Sequence, residues 1–282
     1  MRKAKDGLGL VPFVAYVVIF FALPAVLVVA SAFRAPDGSW TMANFDIFSR
    51  PGVSASFWNS CWLSLLTAAI GSVLGALVCF ALLGCREGGI VRRLVDSAAS
   101  TLSQFGGVML AFAFITILGN NGFVTLALRN IAHVDIYRNG MWLYTPQGLI
   151  LPYLFFQIPL MVISFYPAMS RLPGHLAEAV AILGGSRWVY WRSVAIPVLF
   201  PSFMGGFLLL FANSFSAYAT AAALISQGAQ IAPLQVRSAL ISETGLGNAG
   251  AAGALATGML IIMVAVICAY ALLERRASSW LE

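Results

Sequence analysis

Residues 171–202 read RLPGHLAEAVAILGGSRWVYWRSVAIPVLFPS, an interlude between two long hydrophobic runs whose punctuation is too regular for a plain loop. Pro173 is placed to open a helix at its first position, where its missing N–H costs nothing. From His175 to Leu183, the residues Leu176, Val180 and Leu183 then share one face, with Glu178 elsewhere. Gly184 and Gly185 stop that helix. Ser186 is placed to cap a second short helix carrying Trp188, Trp191 and Ala195, and Pro197 begins the next hydrophobic run. The first helix, about ten residues and ~15 Å long, is too short and too polar to cross a bilayer. On chemistry alone the segment is either an interfacial anchor, with Trp188, Tyr190 and Trp191 at headgroup level, or a docking element for a cytoplasmic partner.

Outward from this segment the chain is hydrophobic. Of 282 residues, 60% are hydrophobic and 9% charged, which leaves too little polar surface to cover a soluble globule. Six mostly apolar runs, at about 10–33, 57–83, 94–118, 146–168, 197–222 and 250–273, are each long enough for a hydrocarbon core of ~30 Å. The third is the most polar, because Asp96, Ser97, Ser100, Thr101, Ser103 and Gln104 fill its first half and are costly against lipid. Its second half, GGVMLAFAFITIL, is strongly apolar, and without this span the later basic loops fall on the wrong side. The gaps between runs are too short to hold an independent core. The expected fold is therefore all-α, a single membrane domain over 1–282 with six transmembrane helices.

Basic residues near span ends tend to stay in the cytoplasm. With the N-terminus inside, cytoplasmic segments hold eleven of the 16 Lys and Arg residues: Arg2, Lys3, Lys5, Arg86, Arg92, Arg93, Arg171, Arg187, Arg192, Arg275 and Arg276. The net charge of +6 is thus a topology signal, with both termini cytoplasmic in an inner membrane, and no nucleic-acid patch. A basic MRKAK start and Ala30-Ser31-Ala32 resemble a signal peptide, but the apolar run from Leu8 to Val29 exceeds the ~7–15 residues of such a segment. Cys61, Cys79, Cys85 and Cys268 form no C-x-x-C pair, and His133 and His175 fall on opposite sides of the membrane, so no metal site is expected. No G-x-x-x-x-G-K-[ST], G-x-S-x-G or H-E-x-x-H pattern occurs, which argues against ATP hydrolysis by this chain and against a membrane enzyme.

Polar residues inside the fifth run, Asn213, Ser214, Ser216 and Tyr218, are candidates for a solute path, joined by Ser103 and Gln104 from the third. Small hydroxyls also serve helix packing, so the larger amides of Asn213 and Gln104 are the stronger candidates. Glu243, in the loop before the sixth run, is a candidate contact for an outside partner.

The segment 171–196 also carries Glu178-Ala179, then Gly184, then Val194-x-Ile196-Pro197. This resembles the EAA…G…I-x-LP signature of permease subunits of bacterial ABC importers, with matching spacing. Leu183 to Ser186, LGGS, is similar to the family's usual LGAS; Val180 replaces a usual Ala and Ile196 a usual Leu. The resemblance implies a type I importer (MetI-like) architecture in which 171–196 is a coupling loop seated in an ATPase subunit. Glu178 and Ala179 would start the contact helix, Gly184 would make the turn, and Ile196-Pro197 would tie the second helix to the fifth span, with Leu183, Ser186 and Val194 counted among the same coupling residues. It implies two ATP-binding subunits holding ATP and Mg, no cofactor in this chain, a second permease subunit, and an extracytoplasmic substrate-binding protein. Within that group the closest resemblance is to polyamine, iron, thiamine, phosphonate and sulfate permeases, with a polyamine or related charged organic solute expected first. A gradient-driven secondary transporter, with 171–196 as an interfacial anchor, is the alternative. It favours midplane ionisable residues and matching halves, and the sequence offers neither.

Overall fold

The structure, a computed structural model, describes residues 11–86, 88–138, 140–225, 228, 230–241 and 249–278, with side chains of the last helix given as far as Leu272. Arg2, Lys3, Lys5, Leu10 and Glu243 lie outside the described residues, as do the side chains of Arg275 and Arg276. The chain is helical, and six helices among the described residues are long and apolar enough to cross a membrane. They are α1 (Val11–Ala32), α2 (Pro51–Leu83), α4 with α5 (Gly107–Ile131), α6 (with its lead-in, Pro146–Ser170), α8 (Arg187–Ser216) and α11 (from Ala249). Between them stand α3 (Ile90–Gln104), α7 (Gly174–Ile182), α9 (Ala219–Leu224) and α10 (Ala232–Leu240); α4 itself is Gly107–Leu118, α5 Phe123–Ile131, α6 Ile150–Ser170 and α11 Ala249–Ser278.

Two compact units divide the chain. The first holds residues up to 57 together with 231–264. Its core is Val53, Phe57, Ala232 and Leu255, with Phe48 packed edge-on against Phe57 at 5.2 Å. Asn44 ties the loop after α1, its Nδ2 donating to the carbonyls of Ala32 and Arg34 at 3.0 and 2.9 Å. α1 itself is exposed from Val11 to Val28, as an all-apolar helix is when lipid is its solvent.

The second unit, 58–230 with the end of α11, is built on α6. α3 and α8 both pack along α6, while α4 packs on α9. Close approach is bought with glycine: a Cβ on Gly75 of α2 would stand 2.5 Å from Met161 Cβ, and one on Gly206 of α8 would stand 2.6 Å from Met161 Sδ. Met161, 0% exposed, thus fills the space between two small-residue stripes.

Two π-helical turns interrupt long helices, Val18–Ala22 in α1 and Trp191–Ala195 in α8. Each ends two residues before a proline, Pro24 and Pro197. A proline ring clashes with the carbonyl four residues back and offers that carbonyl no N–H, and a wide turn there moves the carbonyl aside without ending the helix. Pro197 therefore does not begin a span, as the sequence suggested. The second loop helix and the fifth span are one helix that runs from Arg187.

Candidate functional site

The segment after α6 projects from its unit. Pro173 sits one residue before α7 rather than in its first turn, with φ −67° and ψ 128°. At the other end Gly184 takes φ +76°, and Gly184 and Gly185 donate to the carbonyls of Ala181 and Val180 at 3.0 and 2.9 Å. This paired closure satisfies the last carbonyls of α7 and needs a residue free to adopt positive φ. Gly185 is required for a different reason, since a Cβ there would lie 2.6 Å from Val180 Cγ1. Ser186 Oγ then accepts the Val189 N–H at 3.4 Å and starts α8.

Leu176 and Val180 are half-buried, as their shared face predicts, but Leu183 is not on it. It lies past the helix end, and Ile182 and Leu183 are each 86% exposed. Ala177, Glu178 and Ala179 are exposed too. The base of the projection is fixed: Trp191 packs edge-on against Phe80 of α2 at 5.1 Å, Ala195 is fully buried, and Val194 is half-buried. Ile196 and Pro197 are exposed.

A second feature lies where two helices break. The sequence suggested one continuous third span, but α3 stops at Gln104; Gly106 is extended and Gly107 takes φ +70° before α4 begins. α8 stops at Ser216, and Ala217 (φ −68°, ψ 99°) leads into α9. The breaks are side by side, since a Cβ on Gly107 would stand 3.6 Å from Ala219 Cβ. Between them is a cavity of about 300 Å³ lined by Ser103 and Gln104 of α3, Phe156 of α6, Asn213 of α8, and Tyr218 and Thr220 beyond its end. Irregular backbone within spans is tolerated where it lines a cavity.

Four of the six candidate path residues, Ser103, Gln104, Asn213 and Tyr218, thus meet in one place. Ser214 and Ser216 do not. Ser214 is buried, its Oγ 3.1 Å from Thr67 Oγ1, and Ser216 Oγ donates back to the Ala212 carbonyl at 2.8 Å. Ser214 is turned about 100° from Asn213 on the helix, whereas Ser216, three residues on and close to the same face, is taken up by its own backbone. Asp96 stays out of the cavity and faces Arg92 at 3.9 Å.

Sequence reading missed Tyr153 and Gln157, one turn apart on α6. Tyr153 is 1% exposed and donates its hydroxyl to the Ala217 carbonyl at 3.1 Å. Gln157 is 0% exposed; its Nε2 donates to Thr67 Oγ1 at 3.1 Å, and its Oε1 is buried with no partner among the described residues. The signal was present, as Gln157 is the one amide within the largely apolar helix Ile150–Ser170.

Discontinuous spans around a polar cavity, with an exposed helical projection anchored to the spans, define a multi-pass membrane transport component. The chain belongs to the family of binding-protein-dependent transport system inner membrane components, whose model matches residues 71–279. It is a permease subunit of an ABC importer of that kind, with the MetI-like fold of type I importers, and not a catalytic subunit. It is 24% identical over 254 residues to a probable sulfate transport system permease protein of Helicosporidium sp. subsp. Simulium jonesii, covering 89% of this chain and 87% of that one. It is 26% identical over 232 residues to the trehalose transport system permease protein SugB of Mycobacterium tuberculosis (strain CDC 1551 / Oshkosh), covering 82% and 76%. Among solved structures it matches a chain of a bacterial alginate ABC transporter in complex with alginate pentasaccharide-bound periplasmic protein, at a TM-score of 0.75 and 16% identity over 98% of this chain and 95% of that one.

Proposed function

We propose that this subunit forms one half of a solute path through the inner membrane, with Gln104, Ser103, Asn213 and Tyr218 on the path and residues 171–196 as the element that receives the ATPase stroke. The observation that carries this reading is the exposed apolar tip Ile182-Leu183 on a rigidly closed helix whose base, through Trp191 and Phe80, is packed on α2. A rigid element with an unpartnered apolar end and a fixed root transmits displacement to the spans as a body. Two ATP-binding subunits carry ATP and Mg and dock on the projections of this permease and of a second copy or relative. A substrate-binding protein delivers solute from outside, and both termini of this chain lie in the cytoplasm, in keeping with its eleven basic residues on that side. Residues 1–282 are read as one membrane domain made of the two compact units.

The resemblance puts a polyamine or related charged organic compound first as solute. Polyamine rests on that resemblance alone, since the relatives above are named for sulfate and trehalose. The cavity itself, lined by hydroxyls, amides and aromatic rings without a carboxylate, suits a small polar solute held by hydrogen bonds.

Affinity purification of the tagged permease in mild detergent tests the reading. An ATP-binding subunit recovered in equal amount, and lost when Glu178 and Gly184 are changed together to Ala and Val, supports it. A permease that purifies alone and without ATPase activity sinks it.

A further inference from the structure

Ala217 lines the cavity at the point where α8 ends. With ψ at 99° its carbonyl has left the helical ladder, and a backbone carbonyl at a helix break needs a partner from elsewhere. The Tyr153 hydroxyl, from a different span, donates to it at 3.1 Å. The ring behind that hydroxyl is held on all sides: Tyr153 is 1% exposed and packs against Phe156, itself a cavity residue, with ring centroids 5.6 Å apart. The donor therefore sits on an unmoving strut, and the break is placed where the strut reaches.

We infer that Tyr153 is the positioning residue of the cavity: its hydroxyl fixes the end of α8 at Ser216 and thereby sets which way Tyr218 and Thr220 face. Without the hydroxyl, the Ala217 carbonyl regains a partner most simply by continuing the helix. Because Tyr218 is already helical, that change swings only the Ala217 ψ, from 99° to about −42°, and fuses α8 with α9, which re-aims everything beyond the break. Tyr218 and Thr220 would then leave the lining, while Asn213, a full turn inside α8, would stay. The functional weight of this device rests on the reading of the cavity as the solute path.

The test is thiol labelling in isolated membranes of the full chain bearing either Thr220→Cys or Asn213→Cys, with and without Tyr153→Phe. Each site is quantified by mass spectrometry, and the native Cys85 and Cys268 serve as internal controls of fold. Tyr153→Phe keeps the ring and its packing, and it is expected to change labelling at position 220 severalfold while position 213 and the controls hold. p-Aminophenylalanine at position 153, which keeps a donor at about the reach of the hydroxyl, is expected to move labelling at 220 back towards the original. Unchanged labelling at 220 overturns the inference. Radiolabelled putrescine transported per ATP hydrolysed by the assembled importer is measured with Tyr153→Phe alone. Altered labelling with unaltered transport ratio leaves the positioning role standing and removes the cavity from the path.

Discussion

At residue scale, Val180 and Gly185 explain each other. Both depart from the signature that the loop otherwise resembles, where Ala is usual at each place. A Cβ at 185 would stand 2.6 Å from Val180 Cγ1, so the larger side chain at one position occupies the room vacated at the other. Substituting Gly185→Ala alone overpacks the turn and is expected to cost about 1–3 kcal/mol. Gly185→Ala with Val180→Ala is expected to recover most of it. Thermal unfolding of the purified chain across that double-mutant cycle measures the coupling; additive effects would show that the two residues are independent. The sequence displayed both departures but not their contact, because residues five apart touch only when the helix closes on itself as Gly184 makes it do. The roles of Tyr153 and of Gln157, itself visible as an amide within a span, stayed hidden for a related reason. Their partners, Ala217 and Thr67, lie on other spans, and no local pattern reports such a distance.

Among elements, the apolar runs were readable because lipid imposes one length and one polarity on every span. Their interruptions were less so. Gly106-Gly107 separates the polar α3 from the apolar α4 in a run that the sequence suggested was one span, and Ser216-Ala217 ends α8 with no glycine or proline at all. That second break is held by tertiary contact, the hydroxyl of Tyr153, which composition cannot announce. Packing around Met161 gives a graded prediction. A Cβ at Gly75 meets Met161 Cβ at 2.5 Å and the Ile158 carbonyl at 3.0 Å, whereas one at Gly206 meets only the flexible end of the same side chain and Ser164 Oγ. Gly75→Ala is therefore expected to lower the melting temperature in detergent more than Gly206→Ala, by a stability difference of about 1–2 kcal/mol. Equal shifts would mean that α6 yields as easily as the Met161 tip.

For the whole molecule, the exposed pair Ile182 and Leu183 predicts an assembly. Apolar side chains 86% exposed at the end of a polar segment are anchors without a socket in this chain. Changing both to Ser is expected to leave helix content and melting temperature unchanged, since neither residue packs at home. The same change weakens association with the ATP-binding subunit by about tenfold or more, as read by titration of the purified partners. A drop in melting temperature with unchanged association would place the pair in the fold rather than in the interface.

The paired breaks have a mechanical consequence. α3 and α8 pack on α6, but beyond the breaks α4 and α9 pack on each other. The third and fifth hydrophobic runs of the sequence are thereby both broken beside one cavity, and the pieces beyond the breaks pack on each other. The α4–α9 pair is joined to α3 and α8 through Phe105-Gly106 and Ala217-Tyr218, and α4 keeps a foothold on α6 through Phe114 and Phe155, rings 6.1 Å apart. A shift at either connector is therefore passed to the other through the packing of α4 on α9.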